Sequence, residues 1–410
     1  MIVSLGEAVA DTCGGKAGAL GALLRAGLPV PDGFVVPFAA YLAAGPDDAD
    51  AARQEIGARP VPAAVIDALG RALDELGEPS VAVRSSAAKE DTGQASAAGQ
   101  HESFLAVHGP DEVAEAVGAC WASLFSPRAV AYRAGSGCDD LLMAVIVQRH
   151  LDAEVSGVMF TSAGPDDVTR IEASWGLGPS VVEGRVTPDA YRVSRDGSVI
   201  RTVADKRRRL DRRGTRLVVH DVPVAARDRP VIDDATATRL AELGERIAAV
   251  LGGPQDVEWA IADGRVWILQ ARPVTAALPP PLSGASDVTA AGLAGTPGSH
   301  GTVTGTARIV RGFGDFARVS PGDILVCPFT DPAWTPLLRV AAGVVTETGG
   351  VLSHAAIVAR EHGIPAVLGV PDATNRLRDG AVITVDGTAG TVTADHLRPR
   401  GDGAPAPDHA

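Results

Sequence analysis

Cysteine, lysine, net positive charge and long apolar runs are what this sequence has least of. Its 410 residues contain four cysteines, Cys13, Cys120, Cys138 and Cys327. They are far apart and form neither a CxxC pair nor a Cys/His ligand spacing, which excludes a disulfide scaffold and a zinc site. The formal net charge is -13. A nucleic-acid binder needs a basic face to neutralise phosphates, so no nucleic-acid partner is expected and any phosphate site must be a local pocket. No stretch of 18 or more apolar residues occurs, and the start MIVSLGEAVADTCGG has no basic segment followed by an apolar one. Neither a membrane partner nor a secretory signal is expected, and the location expected is cytoplasmic. Lysine is the scarcest cation, with three (Lys16, Lys89, Lys206) among 37 basic residues. A lysine that persists in such an arginine-rich chain is a candidate for a role needing a compact ammonium, and Lys16 sits in the most suggestive place.

What is present reads as α+β. At about 150 residues per domain the length suits two or three bodies. KAGALGALLRAGL (16–28) has helical spacing and opens after Gly14-Gly15. SVAVRSS (80–86) alternates like a strand. A helix is expected at 111–124, strands at 142–149 and 155–161, the strand-like segment RIEASWGLG next, a helix at 235–251 and a hairpin at 255–272. Residues 1–275 form the first domain, and the Pro-, Gly- and Ser-rich 276–296 form a linker. A smaller α/β unit follows at 297–396, with strands near 301–309, 323–327, 343–346, 382–386 and 390–393 and helices near 334–341 and 353–362. The end, 397–410, is expected to be a disordered tail.

Four stretches carry chemistry. GGKAGALG (14–21) fails the Walker pattern, because Ala10 and Ala17 stand where a glycine and a Ser or Thr belong; it is either a plain glycine entry to a helix or a phosphate-facing N-terminus. Arg84-Ser85-Ser86 ends a strand and precedes SAAGQHES, which is either an ordinary polar loop or a phosphate cradle charged by Arg84. In the hairpin, a two-residue turn at Asp263-Gly264 would set Glu258 against Leu269 and mix polar and apolar groups on both faces. A three-residue loop, 263–265, instead pairs Glu258 with Gln270 and Asp256 with Arg272. Val257, Trp259, Ile261, Trp267, Leu269 and Ala271 then share the packed face. The other face is either a solvated salt-bridged surface or a hard-oxygen site for Mg2+ built on Glu258 and Gln270, with Arg272 reaching the phosphates. The fourth stretch is TGGVLSHAAIVAREHG: a glycine turn, Ser353 as N-cap, and His354 in the first helical turn. The helix dipole there favours a neutral nucleophilic imidazole and stabilises a phosphoryl group added to it. That reading requires a reachable ring. His362 reads as structural, and the basic run KRRRLDRRGTR (206–216) as a solvated loop.

With these residues in view, the chain resembles the family of phosphoenolpyruvate synthases, pyruvate phosphate dikinases and rifampin phosphotransferases. GGKAGALGALLRAGLPVPDGFVV, VAVRSSAAKED, AGQHESFL, VIVQRH, IEASWGLG, GRVTPDAY, PQDVEWA and LQARPVT look like its ATP-grasp nucleotide-binding domain. PFTDPAWTPL and ETGGVLSHAAIVAREHGIPAVLG look like its swivelling phosphohistidine domain. The resemblance implies ATP and Mg2+ as cofactors and nucleotide contacts at Lys16, Arg84, Gly99, Ser103, Gln148, Glu258, Gln270 and Arg272. Glu258 and Gln270 would hold the metal, and His354 would be the phosphorylated, catalytic residue. Ser103 stands where a threonine is usual, and Leu352 replaces the regulatory threonine of plant-type dikinases. No barrel for pyruvate and no drug-binding insert is recognisable. The expected activity is therefore a dikinase-type phosphotransfer with two candidate partners: a small-molecule hydroxyl or carboxylate acceptor, or a separate chain supplying the acceptor domain. A non-catalytic ATP-sensing module is the alternative from another class.

Overall fold

The computed structural model describes residues 2–44, 61–88, 102–126, 129–130, 142–163, 168–275, 278, 292–394 and 397. Its contacts divide into two units: Met1–Val181 with Pro188–Thr275, and Val182–Thr187 with Ala276–Ala410. Gly99, Lys89, residues 279–291 and the tail from 398 lie outside the described residues.

In the first unit β1 (Val3–Ser4), β2 (Gly33–Val36), β3 (Val81–Ala87), β4 (Ser103–Val107) and β5 (Met143–Arg149) form one antiparallel sheet in the order β1-β2-β5-β3-β4. Alternation sorts its side chains: Val145 and Val147 join a core with Leu69, Leu73 and Trp121, whereas Ala144 and Ile146 join another with Leu20, Leu23 and Trp259. A second antiparallel sheet has β6 (Val155–Phe160), β7 (Thr169–Trp175), β8 (Asp189–Val193) and β9 (Val199–Thr202) continuing from β12 (Gln255–Ala262) and β13 (Arg265–Pro273), in the order β13-β12-β6-β7-β8-β9. The run expected to be a solvated loop is instead a hairpin, β10 (Arg208–Arg213) with β11 (Arg216–Asp221). Arg209 and His220 face each other across the two strands, and both bind Asp211, which stands two residues beyond Arg209 on the same strand. Lys206 just before it is no phosphate ligand: fully buried, it donates to Asp189 Oδ1 at 2.6 Å and to the Ala204 carbonyl at 2.8 Å.

The helix α1 (Ala10–Arg25) is broken at Gly14, with φ 80° and ψ 167°. Its regular part therefore begins at the glycine pair, as its sequence predicts. Gly14 is required twice over: by that backbone conformation, and because a Cβ there would lie 2.3 Å from the Ser86 carbonyl oxygen.

The hairpin corrects the expected register in an instructive way. Its turn has two residues, Asp263 and Gly264, both at positive φ, so Ala262 faces Arg265 and Trp259 faces Ile268. The register then shifts between Glu258 and Trp259, and Glu258 faces Gln270 while Asp256 faces Arg272. The polar pairs are the expected ones, reached by a two-residue turn plus a β-bulge at Leu269 rather than by a three-residue loop. The packed face changes accordingly. Val266 and Ile268, not Trp267 and Leu269, join Val257, Trp259, Ile261 and Ala271 on the core, and Trp267 lies under Arg265, 4.5 Å from ring centroid to guanidinium carbon.

The second unit is one mixed sheet of β14 (Gly292–Ala294), β15 (Thr296–Ser299), β16 (Thr302–Ile309), β17 (Ile324–Cys327), β18 (Gly343–Thr346), β19 (Ala366–Leu368), β20 (Val382–Asp386) and β21 (Thr391–Ala394). The order is β14-β21-β20-β16-β17-β18-β19-β15, parallel from β16 to β19. β17 is buried on both faces: Ile324 and Val326 enter one core, Leu325 and Cys327 another, which is why it reads as an unbroken apolar run. β14 pairs with β21, so residues 292–296, expected in the linker, belong to this sheet. The helix expected at 334–341 shrinks to a turn at Pro332–Trp334 and Thr335–Leu338. That expected at 353–362 is present as His354–His362. Among the described residues no helix is long and apolar enough to cross a membrane.

Candidate functional site

In the first unit, two motifs that are 70 residues apart in sequence meet at one place. The backbone N–H of Ala17, just past Lys16 in α1, donates to Ser86 Oγ at 3.1 Å. Lys16 is half-buried there. The Gly-Gly-Lys turn and the Arg-Ser-Ser strand end are thus parts of one structure, each defining the other's shape.

Strand register fixes the rest. Arg84 on β3 faces Ile146 on β5 on one side and Ser103 on β4 on the other. Gln148, two residues past Ile146, therefore shares the face of Arg84. Ser103 is exposed. Gln148 is 2% exposed and donates through Nε2 to the Pro31 carbonyl at 3.1 Å. The hairpin supplies the opposite wall. One guanidinium nitrogen of Arg84 donates to Glu258 Oε2 at 2.9 Å and Gln270 Oε1 at 2.8 Å, and the other donates to the Leu269 carbonyl at 2.7 Å. Arg272 is engaged beside them by Asp256, at 2.7 and 2.8 Å. Of the residues the sequence singles out, Arg84, Ser103, Glu258 and Gln270 are joined by pairing or hydrogen bonds, Gln148 shares their face, and Lys16 is joined to the same strand through Ala17 and Ser86. The carboxylate and amide oxygens of Glu258 and Gln270 converge on a cation. As hard oxygens they fit Mg2+ by the chemistry of the donor set.

The second unit holds His354 as the first residue of its helix, after Ser353. Ser353 occupies the expected capping position without capping: its hydroxyl donates backward to the Gly350 carbonyl at 2.8 Å. Both ring nitrogens of His354 face hydroxyls, Nδ1 the Thr330 Oγ1 at 2.9 Å and Nε2 the Thr335 Oγ1 at 3.3 Å. Thr335 gives its own proton to the Pro332 carbonyl, so at Nε2 it acts as an acceptor. Neither threonine is among the site residues expected from sequence; within PFTDPAWTPL, the pair of hydroxyls flanking the tight Asp331-Pro332 turn is the available signal. The ring is 4% exposed, so the expected reachable imidazole is covered in this conformation. Part of the surrounding loop is set by Val182–Thr187: Thr348 Oγ1 donates to the Gly184 carbonyl at 2.6 Å and Gly349 N–H to the Val186 carbonyl at 3.1 Å. Arg185 lies over the Phe329 ring at 4.9 Å. Burial pushes the Glu183 carboxyl up, and Asp331 adds to this against the pull of Arg185.

The sequence pattern described as "Pyruvate phosphate dikinase, AMP/ATP-binding domain" matches residues 42–280. The chain belongs to the pyruvate phosphate dikinase and phosphoenolpyruvate synthase family. A second pattern, "PEP-utilising enzyme, mobile domain", matches residues 319–390 and includes His354. The nucleotide candidates fall within the first match except Lys16, which precedes it. The chain is 38% identical over 95% of its length to a probable phosphoenolpyruvate synthase of Methanothermobacter thermautotrophicus, of which it covers 62%. It is 39% identical over 92% of its length to one of Archaeoglobus fulgidus, covering 56% of that protein. Against the phosphoenolpyruvate synthase of Escherichia coli the figures are 38% identity, 78% of this chain and 44% of that one. The chain thus spans about three fifths of the length of its first archaeal relatives. ATP and Mg2+ are the family's cofactors.

Proposed function

We propose that this chain is the ATP-charged phosphohistidine part of a dikinase-type phosphotransferase: it takes a phosphoryl group from ATP onto His354 and passes it to a small-molecule hydroxyl or carboxylate. In this reading the first unit is an ATP-grasp domain. Lys16, Arg84, Gly99, Ser103, Gln148, Glu258, Gln270 and Arg272 hold the nucleotide, and Glu258 and Gln270 hold Mg2+. The bound metal would neutralise phosphate charge; the protein's own task is to fix the triphosphate and supply cations where charge develops. A ring nitrogen of His354 attacks the β-phosphorus and AMP leaves. The pyrophosphorylated histidine loses its terminal phosphate to water, and the remaining phosphoryl group goes to the acceptor oxygen.

The observation that carries this reading is the setting of His354. An imidazole at the start of a helix, flanked by Thr330 and Thr335 hydroxyls, suits a nucleophile whose product is anionic. The ring's cover must open for either transfer, which makes the closed conformation a resting one. Labelled ATP tests the proposal. The wild-type chain forms an acid-labile phosphoenzyme and releases AMP, and His354→Ala binds ATP but takes no label. Label retained by that variant would refute the assignment. Pyruvate and other small acceptors are then screened for discharge of the labelled protein.

A further inference from the structure

Three acceptors on the hairpin converge on a single side chain from another sheet. Glu258 Oε2 and Gln270 Oε1 both bind the same Arg84 nitrogen, and the Leu269 carbonyl binds the other. Leu269 is the bulged residue, without a cross-strand partner, because Glu258 pairs with Gln270 and Trp259 with Ile268. The bulge thus turns a main-chain oxygen toward Arg84 and completes a cradle shaped for a planar, forked cation. The cluster is largely dry: the side chains of Arg84 and Glu258 are 14% and 25% exposed.

The two side-chain oxygens are the pair assigned above to Mg2+. A guanidinium and a divalent cation cannot both occupy them. Free Mg2+ would have to displace Arg84 and then sit beside an unpaired positive charge in a poorly solvated place. A metal arriving with a nucleotide brings phosphate oxygens, which give the displaced guanidinium anionic partners in exchange. We infer that Arg84 is a specificity-determining residue: it bars free divalent metal from Glu258 and Gln270 and yields them only to a metal–nucleotide complex. The inference rests on the proposed metal role of Glu258 and Gln270.

Mn2+ binding to the full chain, read from the electron paramagnetic resonance of free Mn2+, tests it without turnover. In the wild type, Mn2+ binding sensitive to Glu258→Gln is expected with a non-hydrolysable ATP analogue present and not without it. Arg84→Met should bind Mn2+ without nucleotide about tenfold or more tightly than the wild type, and Arg84→Met with Glu258→Gln should lose that gain. Arg84→Lys, which keeps the charge but cannot fork across three acceptors, should fall between. Wild-type Mn2+ binding that is Glu258-dependent and equally tight with and without the analogue overturns the inference while leaving the metal site intact. Equal affinities of wild type and folded Arg84→Met without nucleotide overturn it as well. If Glu258→Gln changes Mn2+ binding in no state, the metal assignment itself fails and takes the inference with it.

Discussion

His150 and His354 are both shut away from water, with different company. His354 faces neutral hydroxyls. His150, 3% exposed, lies 3.8 Å from Asp152, whose carboxylate is also bound by Arg212. Burial pushes the His150 imidazole down to about 4; the Asp152 charge opposes this and that of Arg212 adds to it. Between its unfolded value near 6.5 and about 4 the unfolded chain binds a proton at this ring that the folded chain refuses, so stability falls as pH is lowered through that window. A loss of about 2–3 kcal/mol is expected from this group. Urea unfolding of wild type and His150→Gln at several pH values between these limits should show a shallower decline for the variant; parallel curves would remove His150 as the cause. Lys206 is buried in other company: Asp189, equally buried, accepts hydrogen bonds from its Nζ and from the N–H groups of Ala204 and Val231.

Elements show where local rules suffice and where they fail. The start of α1 and the buried run of β17 follow from glycine chemistry and apolar continuity, which are properties of neighbouring residues. The hairpin does not. Asp263-Gly264 signals a two-residue turn, and the polar pairing of Glu258 with Gln270 demands a register that this turn alone does not give. A bulge satisfies both, and a bulge has no sequence signature at Leu269. It is selected by contacts to Arg84 on another sheet. Likewise Thr330 and Thr335 become ring partners of His354 only once β17 and β18 lie side by side. The joint between α1 and β3 is the element-level feature most open to test. At Gly14→Ala both the positive φ and the 2.3 Å approach to the Ser86 carbonyl oppose the new methyl group. We expect a loss of about 3 kcal/mol or more in stability, together with loss of nucleotide binding. Calorimetry and nucleotide titration check this, and a variant with wild-type values for both would show that α1 and β3 shift apart easily.

At the scale of the whole molecule, chain order and structural units do not coincide. Val182–Thr187 lies between α-helical and strand segments of the first unit in sequence, yet its contacts place it in the second. No compositional break marks this excursion, because what holds it are hydrogen bonds to its main-chain carbonyls, from the Thr348 hydroxyl to Gly184 and from the Gly349 N–H to Val186. Those contacts bear on the loop that leads into His354. Gly184 itself has φ 68°, and a Cβ there would stand 3.3 Å from that of Ser353 and 3.4 Å from the Gly349 Cα. A larger residue must therefore strain its own backbone, at about 1–2 kcal/mol, and press on the turn that carries the histidine. Gly184→Ala should accordingly loosen Thr348–His354 although residue 184 is more than 160 positions away in sequence. Hydrogen exchange reads this directly: amides of 348–354 should exchange several-fold faster in the variant, while those of the 255–273 hairpin keep their wild-type rates. Unchanged exchange at 348–354 would mean that the excursion merely rests on the histidine loop and does not shape it.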